Sequence, residues 1–227
     1  MNYATLFETI KGYVENDFPD TTWAGTDGVL NSAMFSSTEQ INTFIQQAEQ
    51  RIFNTVQLLD LRKNVTGNMT SGNMYLSVPS DWLANFSLAV IDASGNYSYL
   101  LNKDVNFIRE SFPNPSSTGI PTHYSYFDEN SYILGPTPDA NYAVELHYFY
   151  YPPSIVTAGT SWIGDNFDSV LLYGSLLEAY TFMKGEQDVM TFYQKRYDEA
   201  MAMLKQLGEG KNRQDMYRTA QVRYPVR

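Results

Sequence analysis

Apolar residues recur every three to four positions at the start of the chain: Tyr3, Leu6, Phe7, Ile10, Tyr13 and Val14. That spacing puts them on one face of a helix, so the first segment predicts an amphipathic α-helix. From Asn16 to Phe35, Gly, Asp, Thr and Asn interrupt the pattern and predict a loop that contains Trp23. Ser36-x-x-Glu39 then has the form of a capping box, in which hydroxyl and carboxylate each accept from the other residue's backbone N–H. It precedes Ile41, Phe44, Ile45, Ala48, Ile52, Val56 and Leu59, which predict a helix of about twenty residues, roughly 30 Å long. The opposite face carries Gln46, Gln47, Glu49, Gln50 and Asn54 and predicts contact with solvent or with a partner.

The period then shortens. Between Leu61 and Tyr151, β-branched and aromatic runs alternate with Gly, Pro, Asn and Ser. Strands are predicted at Met74–Val78, Phe86–Asp92, Tyr97–Asn102, Thr122–Phe127, Tyr132–Leu134 and Tyr142–Tyr151. In the last run Val144, Leu146, Tyr148 and Tyr150 share one face, while Glu145, His147, Phe149 and Tyr151 share the other. Ser94-Gly95-Asn96 and Asp128-Glu129-Asn130 supply turn chemistry between paired strands, which predicts an antiparallel sheet. Asp104 to Glu110 reads as one short helical turn.

Pro152-Pro153 closes the β region, and two further helices follow. Asp165 is the expected N-cap of a helix bearing Phe167, Val170, Leu171, Gly174, Leu177 and Ala179, apolar around most of its girth and so buried. Gly174 and Ser175 would admit the close approach of another backbone. After Gly185, the positions Val189, Phe192, Tyr193, Tyr197, Ala200, Leu204 and Leu207 line one face of a last helix expected to end at Gly208. The fold class predicted is α+β: a four-helix bundle of two N-terminal and two C-terminal helices, with an inserted antiparallel β domain and an extended C-terminal arm. The expected boundaries are 1–60 for the first helices, 61–155 for the β domain, 156–208 for the helical hairpin that completes the bundle and 209–227 for the arm.

Charge separates the arm from the body. The whole chain carries −10, but residues 209–227 hold Lys211, Arg213, Arg218, Arg223 and Arg227 against Glu209 and Asp215, leaving −13 on residues 1–208. The arm also has Tyr217 and Tyr224 but few aliphatic residues, so it cannot form a core of its own. Arginine interspersed with tyrosine is the composition of interface hot spots. A plain disordered terminus and a nucleic-acid-binding arm are the other two readings, and an excess of three charges is small for the second. The chain as a whole, with a pI near 4.6, argues against wrapping nucleic acid by charge neutralisation. Eighteen tyrosines suit extensive interfaces and a tyrosine-rich β core equally.

Catalytic chemistry is sparse. With no cysteine there is no disulfide, thiolate metal site or cysteine nucleophile. His123 and His147 both fall in predicted strands; His147 shares a face with Glu145, but two ligands do not make a metal site. No GxSxG, Walker A, HExxH or dinucleotide fingerprint occurs. Asp81-Trp82 and Ser161-Trp162 suggest either sugar-stacking platforms or loop anchors. The N-terminal segment, with Glu8, Lys11 and Glu15 among its apolar residues, reads as neither a signal peptide nor a membrane span. The Asn-x-Ser/Thr sequons at Asn64, Asn68, Asn85 and Asn96 are therefore expected to be incidental. No catalytic residue, cofactor or metal is expected.

Five segments carry a resemblance when taken in order: Leu76–Trp82, Gly119-Ile120-Pro121-Thr122-His123-Tyr124, Leu134–Asp139, Val144–Pro153 and Asn166–Ala179. Their order and spacing, over roughly residues 70–207, resemble the head-to-tail adaptor (connector) protein family of podovirus-type tailed bacteriophages. Ile120 stands where that family often has a basic residue. The resemblance implies a structural virion protein and not an enzyme: a dodecameric homo-oligomeric ring at the portal vertex, assembled in the host cytoplasm. Such a ring joins the portal protein to the tail nozzle and tail fibre proteins, and genomic DNA passes through it without sequence-specific binding and without a membrane. The family's C-terminal segment reaches the portal, which makes Arg213, Tyr217, Arg218, Arg223 and Tyr224 the expected portal contacts. Another ring-forming tail protein (nozzle or tail tube) and a carbohydrate-binding tail module are the alternative expectations.

Overall fold

A computed structural model describes residues 1–20, 36–56 and 58–219, excepting the side chains of Leu59 and of residues 209–219. The predicted loop around Trp23 lies outside the described residues. Helices α1 (Tyr3–Val14) and α2 (Ser37–Thr55) come first, and a short 3-10 turn leads into β1 (Arg62–Met69), β2 (Tyr75–Ser77), β3 (Ala84–Ile91), β4 (Tyr97–Tyr99) and β5 (Leu101–Asn102). After α3 (Val105–Ser111) come β6 (Thr118–Gly119), β7 (His123–Asp128), β8 (Ser131–Gly135), β9 (Thr137–Pro138) and β10 (Tyr142–Phe149). Helices α4 (Ile155–Ala158), α5 (Trp162–Asn166), α6 (Asp168–Met183) and α7 (Gln187–Thr219) follow. The architecture is mixed α+β, and it divides into two compact units: Met1–Leu59 with Pro152–Arg227, and Asp60–Tyr151.

The helical unit is organised by α6. Val170, Leu171, Leu172, Gly174, Ser175, Leu176, Leu177 and Ala179 are all buried, so most of this helix's girth must be surrounded. It contacts α1, α2, α5 and α7. The buried faces are Leu6, Ile10 and Val14 on α1, Ile41, Ile45 and Ile52 on α2, and Tyr193, Tyr197, Met201 and Leu204 on α7; Phe192 and Leu207, expected on that last face, are exposed, and Met201 takes part in their place. Each large aliphatic side chain buried in this way contributes about 1.5–3 kcal/mol. A Cβ on Gly174 would stand 3.2 Å from Ala48 Cβ and 3.2 Å from the Tyr197 ring, so glycine is what admits both neighbours here. The capping box at Ser36 and Glu39 forms as spelled out by the sequence, with Ser36 N donating to Glu39 Oε2 at 2.8 Å.

The β unit pairs strands in the orders β1-β10-β3-β4 and β2-β8-β7-β5, with a separate β6-β9 pair. One core joins both four-stranded sheets: Leu88, Val90, Val144, Leu146 and Tyr148 from the first, Tyr124, Tyr132 and Leu134 from the second. Pairing is antiparallel except for the two short parallel pairs β5–β7 and β6–β9, which turn chemistry alone does not foretell. The run Tyr97–Asn102, expected as one strand, is two strands in different sheets with buried Leu100 between them. Strand β1 was not expected at all.

Three helix expectations are corrected. Asp165 does not cap α6. It lies inside α5, whose N-cap is Ser161, and α6 starts after Phe167 with no side-chain cap. Gly208 does not end the last helix: α7 runs on to Thr219, so the arm expected to be extended from Glu209 is helical over its first eleven residues. A glycine inside a helix costs only about 1 kcal/mol relative to alanine, and Lys, Gln, Glu and Arg around Gly208 and Gly210 favour continuation.

The third correction concerns Glu49, placed by periodicity on the polar face of α2. Its side chain is buried; it accepts from Ile155 N at 2.9 Å and from the Ser154 hydroxyl, capping α4. Burial pushes its carboxyl above the usual range, against the lowering effect of those two hydrogen bonds. A carboxyl raised in the folded state binds its proton more tightly there, so folding is favoured as pH falls through the folded value and disfavoured above it. Glu49→Gln keeps an acceptor for Ile155 N and removes the buried charge. The expected outcome is a higher thermal midpoint at pH 7, with the gap to the parent narrowing as pH falls through the raised folded value and closed below about 4.3. A lower midpoint across the whole range, measured by circular dichroism, would contradict it.

Candidate functional site

Helix α7 positions the sequence-predicted contacts. Its 33 residues span roughly 50 Å, whereas the 16 residues of α6 span roughly 24 Å, so α7 outruns the helix it packs on. Among the described side chains, the last large buried one on α7 is Leu204. The backbone of Arg213, Tyr217 and Arg218 lies beyond it on the same continuous helix, with positions 213 and 217 about one turn apart. Arg223 and Tyr224 lie outside the described residues.

A second group sits on the outward face of the sheet β1-β10-β3-β4, where strand alternation turns Glu145, His147 and Phe149 away from the core. The Arg62 guanidinium stacks 4.5 Å from the Phe86 ring centre and 5.5 Å from that of Phe149. Next to it, Asn64 donates to Glu145, and His147 Nε2 lies 3.1 Å from Glu145 Oε1. The Asn64 bond, and after it those from His147 and Tyr97, hold the Glu145 carboxyl below its ordinary value. The Glu145 charge in turn raises the Tyr97 hydroxyl. This is a carboxylate fully engaged as an acceptor between strands. Among the described residues no three His, Cys, Asp or Glu side chains stand together as a metal site would need.

His123 is not part of that group; its ring lies 5.4 Å from Phe107 and 6.1 Å from Phe112. Asp81 and Trp82 act as anchors. Asp81 accepts from Lys63 Nζ at 2.7 Å and from the Tyr148 hydroxyl at 2.7 Å, tying β1 and β10 to the loop before β3. The Lys63 bond, ahead of the opposing effect of burial, holds the Asp81 carboxyl low. Trp82 Nε1 donates to Asn85 Oδ1 at 2.6 Å, and its ring lies 5.5 Å from Tyr126 and 6.1 Å from Tyr132. Asn85 Oδ1 also accepts from the buried Tyr132 hydroxyl, which burial raises far above the ordinary phenol value. Asn85, the third sequon, is thus the acceptor inside an aromatic cage. Trp162 packs against Phe167 at 5.7 Å, and Ser161 caps α5.

Sequence reasoning missed Arg62, Phe86 and the whole of β1. The signal was there in period two: Arg62, Asn64, Thr66 and Asn68 alternate with Lys63, Val65, Gly67 and Met69. With only Val65 and Met69 apolar, it was too weak to read as a strand.

A family model described as SU10 adaptor protein matches residues 1–224. No curated protein matches the chain.

Asn85→Ala removes the acceptor shared by the Trp82 indole and the Tyr132 hydroxyl. Each donor left without a partner costs about 1–3 kcal/mol, so the urea midpoint should fall by a clearly measurable margin. Loss of less than about 0.5 kcal/mol would mean that the cage relaxes around the gap.

Proposed function

The chain belongs to the SU10 adaptor protein family, and on that footing we propose that it is the structural head-to-tail adaptor of a tailed phage of podovirus type. In this reading twelve copies form a ring between the portal protein and the tail nozzle and fibres, at the portal vertex of the virion. The ring continues the DNA channel. The observation that carries the reading is the family match, which takes in all but the last three residues.

Physical features of the chain support the same reading. A heterologous interface repeated around a closed ring needs rigid elements in each copy, and we read α1, α2, α6 and α7 as a four-helix bundle that supplies them. The domain boundaries expected from the sequence, at about residues 60, 155 and 208, belong to this proposal. An acidic body lets DNA slide where a basic one would hold it. The basic C-terminal segment docks on the portal, with Arg213, Tyr217, Arg218, Arg223 and Tyr224 as the contacts. No helix among the described residues is long and apolar enough to cross a membrane. The adaptor role requires neither catalytic residues nor a cofactor.

Removing residues 209–227 tests the docking role. Since the described core residues of α7, up to Leu204, all precede the cut, the truncated protein should keep its thermal midpoint within a few degrees and lose portal binding in a pull-down with purified portal. The full-length interaction should weaken steeply between 50 and about 300 mM salt, as arginine–carboxylate docking requires. Portal binding unchanged by the truncation would refute the assignment, and a copy number per virion other than twelve would refute the ring size.

A further inference from the structure

The two sheets of the β unit are closed differently along their two lateral sides. On one side β4 runs directly into β5 of the other sheet. Leu100, buried between them, donates from its N–H to Leu88 O at 2.9 Å, and Leu101 N donates to Thr122 O at 3.0 Å. The chain itself seals that side. On the other side the end strands are β1 and β2, and between them opens a cleft of about 320 Å³ that reaches Val65, Val78, Val144 and Leu146.

The cleft exists because of Gly67. The core-facing positions of β1 are Val65, Gly67 and Met69, opposite Leu146, Val144 and Tyr142 of β10. At the middle position there is no side chain. A Cβ built there would meet Val144 Cγ2 at 3.6 Å, an ordinary contact, so nothing crowds the glycine into place. Its backbone is not in the left-handed region either. Glycine in a strand interior weakens the strand and often marks the close approach of another group.

Strand β1 is also an end strand, so the row of N–H and C=O groups facing away from β10 has no ladder partner among the described residues. The edge is eight residues long, pairs with β10 without a bulge, contains no proline and is exposed at Lys63, Asn64, Thr66, Gly67 and Asn68. Natural proteins blunt such edges with charge, bulges or short length. Here the two cations at its start are drawn off, Lys63 to Asp81 and Arg62 to the Phe86 ring.

We propose that the β1 edge is the acceptor for an extended segment of a different virion protein, which pairs with β1 and drops an apolar side chain into the cleft beside Gly67. This rests on the reading of the chain as a virion adaptor. Unpaired main-chain donors and acceptors in a row are complementary to another main chain. A floor of Val144 and Leu146 selects an apolar residue, since a charged one would be desolvated without a partner. A second copy fits poorly: the end strands β2, β4 and β5 are three, three and two residues long and cannot span an eight-residue edge, and β1 on β1 would be a two-fold contact, which a closed ring of head-to-tail interfaces does not use.

A photo-crosslinking residue placed at Thr66, with Tyr99 on the opposite end strand as control, tests this in virions assembled in infected cells. The expected result is a Thr66 adduct, mapped by mass spectrometry to one short segment of one other virion protein, and no such adduct at Tyr99. Combining it with Gly67→Val, which fills the vacancy from within, should lower the adduct yield at least tenfold, while the purified variant melts at the same or a higher temperature. Gly67→Ala should show the same loss in smaller measure should valine disturb β1. Adducts confined to copies of this chain, or a yield unmoved by both substitutions, overturn the proposal. Absence of the chain from purified virions overturns the adaptor reading itself, whereas its presence without Thr66 adducts overturns the edge assignment alone.

Discussion

Helix α6 is buried around most of its girth from Val170 to Ala179, and a helix of that kind exists in water only when others enclose it. The helical unit follows from this constraint. The enclosing helices come from both ends of the chain: α1 and α2 precede the β unit, and α5 and α7 follow it. The core of the unit is therefore built from contacts of long sequence separation, with Ala48 meeting Gly174 across more than a hundred residues. In the sequence, the β unit is inserted between the two parts of the helical unit. It has a core of its own, which lets its surface vary without disturbing the contacts that hold α6.

What could be read from the sequence was whatever depends on strong local pattern. The capping box, the three-to-four spacing of α1 and α2 and the buried character of α6 need only neighbouring residues to specify them, and each is present. The errors come from elsewhere. Asp165 looked like a cap because acids favour helix N-termini, but Ser161 lies four residues earlier and takes the role for α5. Glu49 falls at a polar position of the α2 repeat; only the arrival of α4, from a hundred residues away, makes that position interior. Tyr97–Asn102 is uniform as a pattern, and nothing local says that Leu100 turns the chain from one sheet to the other. Beyond Gly208 the portal-contact expectations rest on the family resemblance together with charge and composition, none of which orients a side chain on α7.

The tyrosines divide between the two uses that composition left open. Tyr124, Tyr132, Tyr148, Tyr193 and Tyr197 are buried, while Tyr13, Tyr97 and Tyr99 are exposed. A buried phenol needs an acceptor, and the β unit provides two from the same stretch of chain: Asp81 for Tyr148 and Asn85 for Tyr132. The segment around Trp82 is thus held to both sheets by side-chain hydrogen bonds, beside the backbone pairing that Leu83 and β3 make with β10. Burial raises each of these hydroxyls, so none is poised to give up a proton near neutrality. They serve geometry.

The outward features of the β unit obey a different economy. A face bearing Arg62 between two phenylalanines, with Tyr97 and Tyr99 open to solvent, and an unblunted eight-residue edge are poor choices for a protein that stays alone. Stability of the free chain would be served by a side chain at position 67, by a bulge in β1, or by leaving Lys63 unpaired as a guard on the edge. None of these is present. A protein whose working state is an assembly is under a different constraint, because surfaces that are liabilities in the monomer are covered once neighbours are in place. The vacancy at Gly67 is the sharpest case. Among the described residues, it gives up packing at a point where a Cβ would meet only Val144.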